Sequence, residues 1–241
     1  MNFKEGEILY FYKPLHWTSF NLINKIRWIL TKELKYKKLK VGHAGTLDPL
    51  ATGVMIVCTG KATKLIETFQ YQTKEYIATL KLGATTPSFD LETEINQEYP
   101  TDHISKKMVE DTLKQFIGTI KQVPPKFSAV KINGKRAYDM ARQGIEVELK
   151  AKELTIDEIE LLDYNIPEIT IRVVCSKGTY IRALARDIGE ALQTGAHLTK
   201  LERTRIGEVT LDKCFSLDEF EKQIPAWKEE HFNRLEEENN N

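Results

Sequence analysis

The sequence predicts an α+β fold: a mixed, largely antiparallel sheet flanked by helices. Three observations carry this. Strand-like and helix-like patterns alternate along the chain, but without the regular strand–helix–strand rhythm of a doubly wound sheet. The run from Tyr76 to Leu82 alternates, placing Tyr76, Ala78, Leu80 and Leu82 on one face, as in a half-buried strand. Val54–Cys58 is an unbroken apolar run, the mark of a strand buried on both faces.

The elements follow in order. Thr18-Ser19 is an N-cap signal, and Ile23, Ile26 and Leu30 recur behind it at helical spacing. The strand at 54–58 leads through Gly60 into a short helix from Ala62 to Thr68. Gly83 ends the alternating strand, and the polar, acidic stretch 84–104 reads as a long loop. Ser105 opens a second helix with Met108, Val109, Leu113, Phe116 and Ile117 inward, closed by Gly118. Pro124-Pro125 begins an excursion over 124–150, with a helical piece at 136–143 stopped by Gly144. Strands are expected at 151–163 and 169–176, a helix from Tyr180 to Leu192, and strand-like segments at 197–211. The end, Glu236 to Asn241, reads as a frayed tail.

Composition narrows the function classes. The 241 residues are 41% hydrophobic and 29% charged, ordinary for a globular protein that buries a substantial core. No apolar run approaches the ~18 residues of a membrane span, and the charged start does not resemble a signal peptide. Cys58, Cys175 and Cys214 are few, odd in number and without metal-ligand spacing. They read as free thiols of a cytoplasmic protein. Net charge is zero, yet it is segregated: 1–64 hold eleven basic and four acidic residues, 121–150 seven and three, and 212–241 four and nine. A basic surface can therefore face a polyanion while acidic segments lie elsewhere.

Four segments carry candidate chemistry. In Gly42-His43-Ala44-Gly45-Thr46-Leu47-Asp48-Pro49-Leu50-Ala51-Thr52-Gly53, glycines surround a lone carboxylate, and Pro49 pushes Asp48 out of the helical region. A plain tight turn has the same composition. Tyr76 is either a core aromatic or a ring that stacks on an unpaired base. In Cys175–Arg182 a strand turns through Gly178 into a helix. There Arg182 is either an ordinary surface cation or a partner that holds a carboxylate ionised. Gln122–Tyr138 interleaves Lys126, Lys131 and Lys135 with aromatics, prolines and glycine, as a basic loop or an arm gripping RNA backbone. The stretch from Gly53 to Lys61 lacks the glycine and hydroxyl positions of a phosphate-binding loop, since Met55 and Ala62 stand there.

Together these segments closely resemble the TruB family of bacterial tRNA pseudouridine synthases, which act on uridine 55 of the T-loop. The resemblance covers residues 8–211 in order: Gly42–Pro49 and Gly53–Lys64, then Lys74, Tyr76 and Leu82-Gly83. Pro124-Pro125, Ser128-Ala129, Lys131, Gly134, Tyr138 and Ala141-Arg142 continue it, followed by Ser176–Arg182, Gly195–Leu198 and Leu201–Gly207. It implies a pseudouridine synthase fold with a central active-site cleft, a catalytic domain over 1–211 with a thumb-like insertion at 124–150, and catalysis by Asp48 with Tyr76 and Arg182. Arg182 would pair with Asp48, and Tyr76 would pack on the flipped uridine. His43, Gly45 and Thr46 would touch the substrate at the cleft's mouth, Tyr180 and Leu201 would line the pocket, and Lys126 and Lys131 would grip the RNA. The expected partner is the tRNA T-arm, bound by a monomer, with no metal, nucleotide, membrane or other cofactor. The acidic segment 212–241 is too short for the further RNA-binding domain that many members carry. The competing reading is an RNA-binding or RNA-folding protein without chemistry. A glycoside hydrolase is disfavoured, because these motifs offer no second carboxylate.

Overall fold

The computed structural model describes residues 1–128, 131–132, 135–143 and 149–239. Ala129, Gly134, Gly144 and Asn241, named above, lie outside them. The chain forms two units, one of residues 1–72 and 203–241, the other of residues 73–202.

The first unit opens with β1 (Ile8–Lys13), then α1 (Ser19–Glu33), β2 (Val41–Ala44) and β3 (Ala51–Thr59). β1 and β2 both pair antiparallel with β3. Thr18 caps α1 as its sequence demands: its Oγ1 accepts from the Asn21 N–H, and the Asn21 side chain reaches back to the Thr18 N–H. Leu22, Ile23, Ile26, Ile29 and Leu30 are the buried face of α1. A 3₁₀ segment (Gly60–Leu65) and α2 (Ile66–Tyr71) occupy the place of the expected single helix. Ala44, Val54, Ile56, Cys58, Ile206 and Val209 form one buried cluster here.

The second unit begins with β4 (Lys74–Leu82), whose alternation is as expected, and a two-residue pair, β5 (Ala84–Thr85) with β6 (Gln97–Glu98). α3 (Lys106–Lys114) is capped by Ser105 and ends sooner than expected. Ile117 is exposed, and Gly118, at φ +98°, opens β7 (Gly118–Gln122) instead of closing a helix. The excursion holds β8 (Lys131–Ile132), β9 (Lys135–Arg136) and α4 (Ala137–Arg142). Then come β10 (Lys152–Asn165), β11 (Glu168–Cys175), α5 (Ile181–Ala191) and β12 (Ala196–Ile206), which carries the chain back to the first unit. β4, β11, β10 and β7 pair antiparallel in that order, so the sheet is largely antiparallel. Irregularities at Ile156/Glu158 and Leu161/Asp163 break the β10–β11 register. α5 packs against β4.

After β13 (Val209–Thr210) the acidic end is a helix, α6 (Leu217–Asn239), not a tail. Phe220, Ile224, Trp227 and His231 recur at helical spacing and are buried. Phe220 lies 5.0 Å from Phe11 and 5.5 Å from Trp227, ring centre to ring centre, and Phe3 meets Trp227 at 5.6 Å. The carboxylates occupy the remaining faces. No helix among the described residues is long and apolar enough to cross a membrane.

Trp227→Ala removes the centre of this aromatic group. It is expected to cost about 3–5 kcal/mol of stability, read as a lower midpoint in chemical denaturation. An unchanged midpoint would mean that α6 contributes nothing to the fold.

Candidate functional site

Asp48 stands on the six-residue connection between β2 and β3, half-buried, where proline and the glycines keep the chain from entering a helix. Two side chains, Ser19 and Arg203, fix that connection, and a third, Lys13, holds the 14–17 turn that hydrogen-bonds to it. Ser19, the first residue of α1, exchanges two hydrogen bonds with Leu47: its Oγ donates to the Leu47 carbonyl at 3.0 Å and accepts from the Leu47 N–H at 2.9 Å. The residue before Asp48 is thereby locked to a helix terminus. The Asp48 carbonyl accepts from the Ala51 N–H at 3.1 Å, and the Pro49 carbonyl accepts from the His16 N–H at 2.8 Å.

Arg203, 1% exposed, is the second anchor. Its Nε donates to the Val54 carbonyl at 2.8 Å and its Nη2 to the Gly45 carbonyl at 3.0 Å, tying β3 to the start of the loop. Gly45 (φ +89°) and Gly53 (φ +111°) adopt conformations that other residues avoid. A Cβ on Gly53 would stand 2.2 Å from the Arg203 carbonyl, so the backbones meet only because no side chain intervenes.

Lys13, at the end of β1, is the third. It is buried, and its Nζ donates to the carbonyls of Pro14 (2.9 Å) and Trp17 (2.6 Å). Burial lowers its pKa to about 8, the Asp48 charge opposes that shift, and the Arg203 charge adds to it. Asp48 thus stands within electrostatic reach of the buried Lys13 ammonium, which Arg203 also reaches. His43, on β2, is held below the usual imidazole range by burial and by the Arg203 charge, so its ring is neutral at pH 7. Gly45 is half-buried and Thr46 exposed on the same loop.

The other expected residues lie in the second unit. Tyr76 is 8% exposed, on the face of β4 that Ala78, Leu80 and Leu82 share. Arg182 is no surface cation: it is 4% exposed at the start of α5. Its guanidinium donates to the carbonyls of Ser88 (3.2 Å) and Phe127 (2.8 Å) and lies 3.7 Å from the Asp90 carboxylate. Asp90 is itself buried in a closed polar turn. Its carbonyl accepts from the hydroxyls of Thr86 (2.6 Å) and Ser88 (3.3 Å), and its Oδ1 from the Glu92 N–H at 2.9 Å. Tyr180 is set by the buried Gln122 side chain, which accepts from its N–H at 2.9 Å and donates to its carbonyl at 3.2 Å. Leu201 is half-buried on β12 and Lys126 is exposed. Lys131 is placed by its backbone on β8.

The loop residues His43, Gly45, Thr46 and Asp48 therefore come together in the first unit, and Tyr76, Arg182, Tyr180 and Leu201 belong to the second. Sequence reasoning missed Lys13, Ser19, Asp90 and Arg203 as site residues. Asp90 left one signal, a carboxylate among the closely spaced hydroxyl residues Thr86, Ser88 and Thr93.

Comparison with known proteins adds what geometry cannot. The model of the TruB family pseudouridylate synthase N-terminal domain matches residues 31–181, and that of the tRNA pseudouridylate synthase B C-terminal domain matches residues 182–237. A protein of Phocaeicola vulgatus named tRNA pseudouridine synthase B is 70% identical over 227 residues, covering 94% of this chain and 95% of the relative. One of the same name from Parabacteroides distasonis is 68% identical over 238 residues, covering 99% and 100%. Among solved structures, a chain of a Cbf5–Nop10–Gar1 complex superposes with a TM-score of 0.69 at 28% identity. A chain of an H/ACA RNP bound to a substrate RNA containing 2′-deoxyuridine does so at 0.68 and 26%. Each match covers 95% of this chain, which spans only 57% and 56% of theirs. The fold is that of the pseudouridine synthases.

The depressed pKa of Lys13 has a measurable consequence. Between pH 8 and its ordinary value of 10.5, the unfolded chain binds more protons at this group than the folded chain. The burial penalty on Lys13 is therefore relieved as pH rises through that window. Denaturant titrations of wild type and Lys13→Met from pH 7.5 to 10.5 should show the wild type gaining stability relative to the variant with increasing pH. A pH-independent difference would place Lys13 at its ordinary pKa.

Proposed function

The chain belongs to the TruB family of pseudouridylate synthases, and from that membership we propose that it isomerises uridine 55 in the T-loop of tRNA to pseudouridine. The observation that carries the proposal is the setting of Asp48: a carboxylate on a pinned loop, with Lys13 and Arg203 buried beside it. The reaction needs such a group. The N1–C1′ bond breaks, the freed uracil turns, C5 bonds to C1′, and the C5 proton is lost while N1 gains one; no electrons are exchanged with another molecule. A base stacked in a folded loop must first be extruded. Asp48 then supplies the carboxylate that starts cleavage of the glycosidic bond. Tyr76 stacks on the flipped uridine and assists loss of the C5 proton. Arg182 pairs with Asp48 and keeps it ionised. Tyr180 and Leu201 wall the base in, so that water does not intercept the sugar. His43, Gly45 and Thr46 meet the RNA around the flipped nucleotide.

These roles rest on the motif resemblance. The burial of Tyr76 and Arg182 and the neutrality of His43 support them, because each suits a base-sized, dry site. The segment 124–150, with exposed Lys126, Lys131 on β8 and Lys135 on β9, serves as the arm that grips the T-arm backbone. The protein acts as a monomer in the cytoplasm.

Asp48→Asn keeps the shape of the loop and removes the carboxylate. It should bind unmodified tRNA as the wild type does, yet form pseudouridine at position 55 roughly 10³-fold more slowly or not at all, read by mass mapping of the RNA. Normal product from this variant would leave only the reading without chemistry. Replacing Lys126, Lys131 and Lys135 with Gln should weaken binding and lower the slope of log K against log salt by roughly 0.7–0.9 for each phosphate that the arm neutralises. An unchanged slope would show that this arm does not touch phosphate.

A further inference from the structure

Helix α1 leaves a large aromatic where folding has no use for it. Its buried face centres on Ile26. At 3.6 residues per turn, Trp28 falls near the middle of the opposite face, in one row with Phe20 and Asn24 and beside Lys32. Trp28 is 53% exposed and Phe20 67%. A lone exposed aromatic is ordinary, but this one is bracketed by cations. Lys32 Nζ lies 4.6 Å from the indole centre and Lys25 Nζ 5.2 Å.

The acids near this helix are already engaged. Glu221 of α6 pairs with Lys25 at 3.0 Å, and Glu33 is held by Lys228 of α6 at 3.2 Å. Lys32 has no ion pair among the described residues. Residues 25–40 hold seven basic side chains against that one glutamate, and three of them, Lys25, Arg27 and Lys32, stand on α1, where α6 answers on one flank only.

Position gives this face a meaning. α1 begins at Ser19, hydrogen-bonded to Leu47 beside Asp48, and Trp28 lies nine residues on, about 14 Å along the axis. A polyanion held at Asp48 reaches that distance without leaving the surface of the first unit.

We infer that this face of α1 is a second RNA-contact surface, on which Lys32 takes phosphate oxygens and an unpaired base stacks on Trp28, holding tRNA outside the T-arm. The inference rests on the proposed substrate. The pairing of a flat ring with flanking ammonium groups favours RNA over an acidic protein. Stacking on an aromatic and neutralising a backbone are the two contacts that single-stranded nucleic acid offers at every residue, whatever its sequence. An acidic protein would use the lysines and leave the indole bare.

The test compares unmodified full-length tRNA with an isolated T-arm hairpin, using wild type, Trp28→Ala/Lys32→Gln and Lys32→Arg. Binding is followed by fluorescence anisotropy across a salt series, and pseudouridine formation is measured separately. The double variant should bind full-length tRNA about tenfold more weakly, with a salt slope lower by roughly 0.7–0.9, while its affinity for the hairpin and its turnover of the hairpin stay unchanged. Lys32→Arg should keep the wild-type slope. Full-length binding and slope unchanged in the double variant would overturn the inference, and so would equal losses on both RNAs. Variant-dependent tRNA binding by a wild type that makes no pseudouridine would uphold this surface and overturn the proposed reaction instead.

Discussion

The buried guanidinium of Arg203 is the contact on which the geometry around Asp48 depends. It joins the carbonyl of Gly45, before the carboxylate, to that of Val54, after it, so both ends of the loop are fixed by one rigid planar group. A buried cation left without partners is costly, and here the Val54 and Gly45 carbonyl oxygens offset that cost. Gly53 is the other half of the device. Without a Cβ it lets β3 approach the Arg203 backbone, and any side chain would push the strands apart. Lys13 and Ser19 complete the frame. Ser19 bonds to the Leu47 backbone next to the carboxylate, and Lys13 holds the 14–17 turn whose His16 N–H bonds the Pro49 carbonyl, so the loop's course is set before any substrate arrives.

The second unit repeats this principle with different parts. Arg182 is also a buried guanidinium, and it joins the 86–93 turn to the base of the 124–150 excursion through Ser88, Asp90 and Phe127. Tyr138 Oη donates to Glu92 at 3.0 Å, a further link between the same two segments. A cation that fastens both segments also sets how the excursion leaves the sheet. Arg182 thus has a positioning role within its own unit beside the one the family resemblance assigns it.

Much of this was legible in the sequence because it rests on local rules. The caps of α1 and α3, the alternation of β4, the apolar run of β3 and the strand pair β10–β11 follow from propensity and period, and the glycines around Asp48 announce a shaped loop. What was not legible depends on contacts distant in sequence. Lys13 reads as one more lysine until burial depresses its pKa, and Asp90 as one of many acids in an acidic stretch until Arg182 reaches it. α6 was hidden differently. The period Phe220, Ile224, Trp227, His231 is present, but nine acidic residues in the last thirty obscure it, and the closing Glu236–Asn241 reads as a frayed tail. Whether a carboxylate-rich segment folds depends on whether its few apolar residues share one face, and here they do.

The zero net charge has a related explanation. Segregation along the chain becomes partial neutralisation in the fold, since the acidic helix α6 lies against the basic helix α1 and meets it through Lys25–Glu221 and Lys228–Glu33. One helix can pair with only one flank of another. The lysines that α6 does not reach therefore keep their charge toward solvent, and a protein with no overall excess still presents a cationic face. Such half-screened pairs contribute little to stability. Their arrangement bears instead on where a polyanion can lie, because a local field of one sign steers association even when the total charge does not.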